Sequence, residues 1–327
     1  MIVMTPNQTI PKVLLKFAES LGVVLTNNWL DIPAVFGNGY CRGYVFNEHV
    51  RLLISDYELK EDLIVVQPKE LASGELLFFK FQNVFPSAKS KLPKIPSVLI
   101  ATRRIVTGET FAIHSNRETI NIEVAVSYLD KLIPIADRSP MLESLLHNTV
   151  PLFFEQLIYP ALLNVVEEIL DPLDNDTFNL FFLKVKAEEL ICRLLMEIDK
   201  REEKQLYPLN DKDINAVYKV RDQILAYIEK PPVIADLAIQ AAMSPSKLKR
   251  LFRQIFGNSI FNYYQQFRMK EAARLLKTEN LSVSAVGYQL GFSNLSHFSK
   301  LFESHRHETK AIQSLLTIKW SIRGISY

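Results

Sequence analysis

The chain has 327 residues, of which 48% are hydrophobic and 23% charged, a composition typical of a globular protein with room for two domains. No apolar run is long enough to span a bilayer, and the N-terminal segment MIVMTPNQTIPK lacks the features of a signal peptide, so we expect a cytoplasmic protein. Residues 211–327 carry 17 Lys and Arg against 9 Asp and Glu, about +8, whereas residues 1–210 carry about −6. This split suggests a nucleic-acid-binding end joined to a part that does not touch phosphates.

The first long segment, from about residue 33 to 135, has the pattern of β-strands. Short apolar runs at 50–54, 63–66, 76–81 and 98–101 are separated by Gly, Pro, Asn or Ser, which predicts an antiparallel barrel or sandwich. Three glycines in FGNGYCRGY fit a hairpin turn and a bulge. They do not fit a phosphate-binding loop, because no helix pattern follows them.

The apolar period becomes helical from about residue 140. Two amphipathic helices are predicted around Leu162–Leu170 and Leu190–Ile198, separated by Asp171 and Pro172. Their apolar faces fit packing on the strand domain, which we favour, or pairing with a second copy of the chain. Charged residues at 199–204 mark the end of the second helix and a linker to about 212.

The two cysteines, Cys41 and Cys192, lie far apart and away from histidines. They therefore predict neither a disulfide framework nor a zinc site, and we interpret both as buried, reduced thiols. No cofactor is predicted.

Residues 234–310 contain one pattern twice: a helix, a tight turn, and a second helix with a Leu/Phe-rich buried side. In the first copy Ser244 is predicted to cap the second helix and Gly257 to end it. The exposed face of that helix carries the candidate DNA contacts Ser246, Lys249, Arg250 and Arg253. A connecting helix over 260–277, roughly 25 Å long, can set the two copies on successive turns of a DNA groove.

The second copy places Gly287 and Gly291 at the corresponding helix and turn. Its candidate DNA contacts are Ser296, His297 and Lys300. Residues 244–257 carry about +4 and residues 293–306 about +1, so the first copy is expected to supply most of the phosphate affinity.

AARLL at 272–276 and VSAVGYQLGFSNLSHFSKLF at 283–302 resemble the signature of the AraC/XylS family of bacterial transcription regulators. The resemblance covers about 212–312 and implies two recognition helices in adjacent major grooves, read by Ser246, Lys249 and Arg250 in one and Ser296, His297 and Lys300 in the other. It also implies RNA polymerase as a partner and a structural ion pair at Arg268. The chain departs from the family pattern where it has Arg306-His307, Thr309-Lys310 and Gln313-Ser314 instead of aromatic-Gly, Thr/Ser-Pro and Tyr-Arg.

Proteins that resemble this chain carry a cupin-like sensor barrel ahead of the DNA-binding end. Metal-binding cupins need a His-x-His motif, whereas His49 and His114 each stand alone, so an empty barrel or one that binds an organic ligand is expected. Candidate contacts for a small anionic or amphipathic effector are Arg42, Tyr44, Arg51 and Tyr57. The alternative is that these four are ordinary polar residues of the sheet.

The predicted fold is α+β: an N-terminal antiparallel cupin-like β-barrel with helices, then an all-α domain with two helix-turn-helix units. The predicted domains are a sensor at 1–138, a helical linker or dimerisation region at 139–210 and an AraC-type DNA-binding domain at 211–327. The predicted function is effector-responsive transcription regulation at a double-stranded DNA operator, by a monomer or a homodimer. The sequence has no P-loop, HExxH motif or Ser-His-Asp arrangement, so no enzyme is predicted. A purely architectural DNA-binding protein, with a barrel that only dimerises, is the alternative.

Overall fold

The computed structural model describes residues 10–61, 63–66, 76–85, 96–102, 110–113, 116–147, 152–171, 176–201, 206–207, 209–278 and 281–304. The chain divides into two compact units. The first is Met1–Ile158 with Leu162–Leu209, and the second is Tyr159–Ala161 with Asn210–Tyr327. None of the described helices is long and apolar enough to cross a membrane.

Nine strands are described in the first unit. They are β1 Trp29–Asp31, β2 Gly37–Val45, β3 Val50–Leu59, β4 Leu63–Val66, β5 Leu76–Gln82, β6 Ser97–Thr102, β7 Thr110–Ile113, β8 Asn116–Ala125 and β9 Phe153–Leu157. Seven form one antiparallel sheet in the order β1-β2-β3-β8-β5-β6-β9, and β4 pairs with β7. The predicted antiparallel β domain is therefore confirmed, but over the described residues its large sheet is open, with β1 and β9 at its edges.

One face of this sheet forms the main core of the first unit. Register pairs Leu52 with Ile122 and Ile54 with Ile120, and Phe79 lies opposite Ile122 from the other side. All of these side chains are fully buried. Because side chains alternate between the two faces of a strand, this apolar set lies on one side of the sheet.

A helix covers part of the opposite face near β1 and β2. This helix, α1 (Lys12–Leu21), packs Leu14 and Phe17 against Cys41 and Tyr57. It ends at Gly22, whose φ of 66° is the left-handed conformation that glycine adopts without strain.

Four further α-helices complete the described part of the first unit. They are α2 Val126–Leu132, α3 Pro140–His147, α4 Pro160–Leu170 and α5 Asp176–Asp199, with a short 3-10 turn at Ile135–Asp137. The predicted apolar faces of α4 and α5 are buried, with Leu162, Val166, Leu190 and Leu194 fully inside. Strand β9 lies within 139–210, a region to which the sequence assigns helices.

The two cysteines differ in exposure. Cys41 is buried and its Sγ lies 3.2 Å from the hydroxyl of Ser55. Cys192 is exposed, so the prediction that both thiols are buried is wrong for Cys192. Its place on α5 lies on the side of the helix opposite Leu190 and Leu194, which face the core.

The described part of the second unit is all helical. Its helices are α6 Asp211–Ala226, α7 Ile234–Gln240, α8 Pro245–Phe256, α9 Ile260–Thr278, α10 Val283–Gln289 and α11 at 295–304. Helices α7 and α8 form one helix-turn-helix unit, and α10 and α11 form the other. Helix α9 connects them, which confirms the predicted all-α domain with two such units.

Gly291 occupies a position that no other residue fits. Its φ is +77°, and a Cβ built there would lie 2.1 Å from the carbonyl oxygen of Glu229. Gly22 has a similar φ of +66°, but a Cβ there would meet nothing within 4 Å. A side chain at Gly22 would therefore meet only the strain of the left-handed conformation. A side chain at Gly291 would meet the same strain and also a steric clash with the backbone of Glu229.

We expect Gly22→Ala to lower the free energy of unfolding by about 1 kcal/mol, the cost of a left-handed conformation with a Cβ. Gly291→Ala should cost at least about 2 kcal/mol more, because the backbone of Glu229 or of the turn must move. Scanning calorimetry on the two variants measures this difference. Equal shifts of the unfolding transitions would show that the turn relaxes around the added methyl group.

Candidate nucleic-acid interface

Both ends of α8 are fixed by local sequence. The hydroxyl of Ser244 accepts a hydrogen bond from the backbone N–H of Lys247 at 3.2 Å, and Pro245 occupies the first helical position. Gly257 ends the helix with φ 69°. These caps confirm the predicted start and end of the helix, and they set its orientation at the turn after α7.

The predicted DNA contacts of the first helix-turn-helix lie on the solvent face of α8. Ser246, Lys249, Arg250 and Arg253 are all exposed, whereas Leu248, Leu251, Phe252 and Ile255 are buried on the opposite side. The alternation follows the helical period, so one face packs and the other presents hydroxyl and cationic groups. A face of this kind can meet phosphates and base edges in a major groove.

Lys247 of α8 forms an ion pair within the domain. Lys247 Nζ lies 2.8 Å from a carboxylate oxygen of Asp213, on α6. The charge of about +4 counted along this segment therefore includes one lysine that is neutralised within the domain. Sequence spacing cannot reveal this pair, because its members are 34 residues apart.

The turn of the second helix-turn-helix, between α10 and α11, is longer than the turn of the first, between α7 and α8. Residues at the positive-φ positions, Ala242 and Gly291, are 49 apart, but the cap residues Ser244 and Asn294 are 50 apart. Asn294 accepts a hydrogen bond from the backbone N–H of His297 at 3.1 Å. The second turn thus has one additional residue, and Asn294 supplies a cap that the sequence analysis missed.

The predicted DNA contacts of the second helix-turn-helix also lie on a solvent face. Ser296, His297 and Lys300 are exposed on α11, and Glu303 is exposed close to Lys300 in sequence. Phe298 is fully buried on the other side of the helix. The departures from the family pattern at His307, Thr309 and Gln313 lie outside the described residues.

Arg268 of α9 joins this connecting helix to the second helix-turn-helix. Its side chain is buried, and Nη2 donates a 2.5 Å hydrogen bond to the carbonyl of Leu290, directly after α10. Its guanidinium lies 3.6 Å from the centre of the Phe292 ring and 5.0 Å from that of Tyr264. Burial lowers the pKa of Arg268, yet arginine stays charged at neutral pH. The described contacts of Arg268 are the carbonyl of Leu290, the amide oxygen of Gln265 at 3.4 Å and two aromatic rings, instead of the ion pair that the resemblance implied.

The effector candidates are divided between the two faces of the sheet. Register places Arg42 opposite Ile54, and Arg51 opposite Val45. Paired residues of an antiparallel ladder share a face and neighbours alternate, so Arg42 and Tyr44 lie on one face and Arg51 and Tyr57 on the other. The sheet does not bring the four residues together into one pocket.

Each of these side chains has contacts within the protein. Arg42 is buried, and its Nη2 donates to the carbonyls of Ile169 and Leu170 at 2.8 and 3.0 Å, at the C-terminus of α4. Arg51 pairs with Glu123 at 3.6 Å, and the ring of Tyr57 packs 5.3 Å from that of Phe17. Burial raises the pKa of Tyr44, which is half-buried. Arg42 is therefore a helix-capping residue of this unit.

Two histidines bear on the expected absence of a metal site. His49 stacks on the ring of Tyr128 at 5.1 Å, and His114 lies outside the described residues. Within the described ranges, no three His, Cys, Asp or Glu side chains come together as metal ligands would.

The helix-turn-helix domain family matches residues 237–309, which hold both units. PchR, a regulatory protein of Pseudomonas aeruginosa, is 38% identical over 71 residues, which are 22% of this chain and 24% of PchR. The arabinose operon regulatory protein of Escherichia coli is 36% identical over 70 residues, 21% of this chain and 24% of that protein. The C-terminal unit belongs to the AraC/XylS family. The chain matches about a quarter of the length of these curated relatives.

Solved structures of ToxT from Vibrio cholerae align with more of the chain but with little similarity. One, bound to an unsaturated fatty acid, is 15% identical and covers 79% of this chain and 92% of ToxT, with a TM-score of 0.29.

Arg268→Met tests the connection between α9 and the second AraC/XylS-type unit. The substitution leaves the carbonyl of Leu290 without its donor, which should lower the free energy of unfolding by about 1–3 kcal/mol. DNA affinity should fall while its dependence on salt stays unchanged, because Arg268 is buried away from phosphates. Arg274→Met is the matched control, since Arg274 makes a partly exposed ion pair with Glu271 at 2.8 Å and should cost under about 0.5 kcal/mol. A reduced salt slope in Arg268→Met would instead place this side chain on DNA.

Burial lowers the pKa of Lys270 on α9 to about 8. The unfolded chain therefore binds more protons than the folded chain between pH 8 and 10.4, and stability should rise with pH across that window. We expect Lys270→Met to raise the free energy of unfolding at pH 7 by on the order of 2 kcal/mol. The gain should shrink towards pH 10.5, as urea titrations at the two pH values would measure. A gain that is equal at both pH values would assign the effect to packing alone.

Proposed function

We propose that the chain is a sequence-specific DNA-binding transcription regulator, in which α8 and α11 enter adjacent major-groove segments. The observation that carries this proposal is the pair of exposed recognition faces, each built on a buried apolar stripe and joined by a single helix. Helix α9 has 19 residues and is roughly 28 Å long, comparable with the repeat of about 34 Å between successive groove turns. The matched relatives are named as regulators, which supports this function over an enzyme.

The two recognition helices are proposed to contribute unequally. Helix α8 has Lys249, Arg250 and Arg253 on its exposed face. Helix α11 presents Lys300 with the carboxylate of Glu303 on the same exposed side. Since each phosphate contact adds to affinity and to its salt dependence, α8 should supply the larger share of both.

We propose that the first unit senses a small molecule, with Arg42 and Tyr44 on one face of β2 and Arg51 and Tyr57 on the other as separate candidate contacts. The alternative is a scaffold that binds no ligand.

We also propose RNA polymerase as a partner and a cytoplasmic location, both following from the regulator function. A second copy of the chain is proposed as a partner because α5 leaves apolar side chains exposed.

The double substitution Lys249→Ala with Arg250→Ala tests the unequal contribution. On a duplex selected in vitro by the wild-type protein, we expect the dissociation constant to rise about 10–100-fold, and the salt slope to fall by up to about two. Lys300→Ala should raise it less than about tenfold and reduce the slope by about one or less. Lys219→Ala, on an exposed part of α6, is the control and should bind like the wild type. Equal losses for the two recognition helices would reject the unequal contribution.

Footprinting the protein on DNA upstream of its own gene, with and without cell extract, tests the sensor. Altered protection with extract supports an effector. Unchanged protection over a saturating range of extract would favour the scaffold.

A further inference from the structure

Residues 227–230, which form the bridging segment between α6 and α7, contact the second helix-turn-helix. They make a tight turn, in which the backbone N–H of Lys230 donates to the carbonyl of Tyr227 at 3.0 Å. The side chain of Ile228 packs against the apolar core of the second helix-turn-helix, which includes Leu290 and Phe298. The segment just before the first helix-turn-helix therefore takes part in the core of the second.

Two backbone positions of the bridging segment are also contacted. The hydroxyl of Tyr264, a fully buried side chain of α9, donates a 2.9 Å hydrogen bond to the carbonyl of Ile228. The turn between α10 and α11 lies directly against the next residue, because a Cβ built on Gly291 would lie 2.1 Å from the carbonyl oxygen of Glu229 and 2.9 Å from its Cα. Two backbones can approach this closely only where glycine leaves room. The segment is thus fixed through main-chain atoms, whose position does not depend on a flexible side chain.

The bridging segment is attached firmly to the first helix-turn-helix as well. Pro231 and Pro232 follow it directly, and α7 begins at Ile234. Because proline fixes φ near −65°, this connection is short and stiff. On the other side of the segment, α6 packs on α8 through the rings of Tyr218 and Phe256, whose centres are 5.5 Å apart. Both flanks of the segment therefore follow the position of the first helix-turn-helix.

These contacts connect the two helix-turn-helix units at a second place besides α9. Arg268 lies one turn after Tyr264 on α9 and bonds the carbonyl of Leu290. One hydrogen bond from α9 thus reaches the residue before Glu229, and the other reaches the residue before Gly291. A single connecting helix permits hinge motion at its ends, where a few residues can absorb the change in backbone angles. A second point of attachment removes that freedom.

We propose that the bridging segment and Tyr264 are positioning elements that fix the distance and the rotation between α8 and α11, so that the protein recognises the two halves of its operator at one spacing. The inference rests on the proposed DNA-binding function and adds to it a determinant of specificity that lies away from the recognition faces. One additional base pair between the halves moves the second half by about 3.4 Å and turns it by about 34°. A hinged protein would follow this change, whereas a doubly connected one loses the contacts of one recognition helix.

Duplexes with altered spacing test the proposal. One base pair is inserted or deleted between the two protected halves of a duplex selected in vitro by the wild-type protein, and dissociation constants are measured at one salt concentration. The wild type should bind the altered duplexes at least tenfold more weakly than the selected one. In the bridge variant, Ile228→Ala with Tyr264→Phe, this ratio should fall at least threefold, because the second helix-turn-helix can then follow the displaced half.

Two substitutions are matched controls for the bridge variant. Leu276→Ala removes a partly buried side chain from the same apolar core but outside the bridging segment. Glu229→Ala removes an exposed side chain from the segment and keeps its carbonyl. Both should retain the wild-type ratio, even where the affinity for every duplex changes, because loss of core stability alone weakens all duplexes equally. A wild type that tolerates the altered spacing, or equal ratios in the wild type and the bridge variant, would overturn the proposal.

A wild type that selects no duplex would reject the DNA-binding function itself, and the rigidity of the bridge is therefore also measured without DNA. Gln240→Cys and Gln289→Cys place spin labels at corresponding exposed positions of α7 and α10, off the recognition helices, in a Cys192→Ser background in which Cys41 is buried. Double electron–electron resonance should give one narrow distribution of distances between the labels. Adding the two substitutions of the bridge variant should broaden it. A broad distribution with the bridge intact, or no broadening in the bridge variant, would contradict the proposed role of the segment.

Discussion

The guanidinium of Arg268 holds the second helix-turn-helix unit on the connecting helix. It donates to the carbonyl after α10 and lies against the ring of Phe292, the residue that follows the sharp turn at Gly291. A buried cation is costly unless its surroundings compensate for the water it loses, and here a carbonyl, an amide oxygen and two aromatic faces contact the guanidinium. Because the position of α11 follows from this turn, a residue that is buried away from the recognition face helps to decide where that face points.

Arg42 likewise stabilises a helix end in the first unit. It also bonds the carbonyls at a helix C-terminus, those of Ile169 and Leu170, and its guanidinium lies 5.9 Å from the ring centre of Trp29. The negative end of a helix dipole favours a cation at this place. Arg42 and Arg268 thus each tie a helix end to a neighbouring element of their own unit. In the first unit, Arg42, a proposed effector contact, also stabilises the C-terminus of α4.

The two recognition helices differ through small local changes. The longer turn before α11, the Asn294 cap and the exposed Glu303 all lie in the second copy, whereas α8 keeps a serine cap, a glycine end and three exposed cations. The ion pair of Lys247 with Asp213 reduces the difference in positive charge between α8 and α11 but does not remove it. A duplicated motif can therefore keep the same buried stripe in both copies while its DNA-facing chemistry diverges, because packing constrains only one side of each helix.

The sequence by itself determined the class of each unit, the duplicated helix-turn-helix, and the caps at Ser244 and Gly257, because these depend on residues close together in the chain. It also determined which side of α8 and α11 faces solvent, since the helical period alone places Lys249 and Lys300 opposite the apolar stripe. The tertiary structure decided that Arg51 and Tyr57 lie on the other face of the sheet from Arg42, because one residue of strand register moves a side chain to the opposite face. It also decided the partners of Lys247, Arg268 and Arg42 and the exposure of Cys192. These depend on residues that are distant in sequence and meet only when the helices and strands pack.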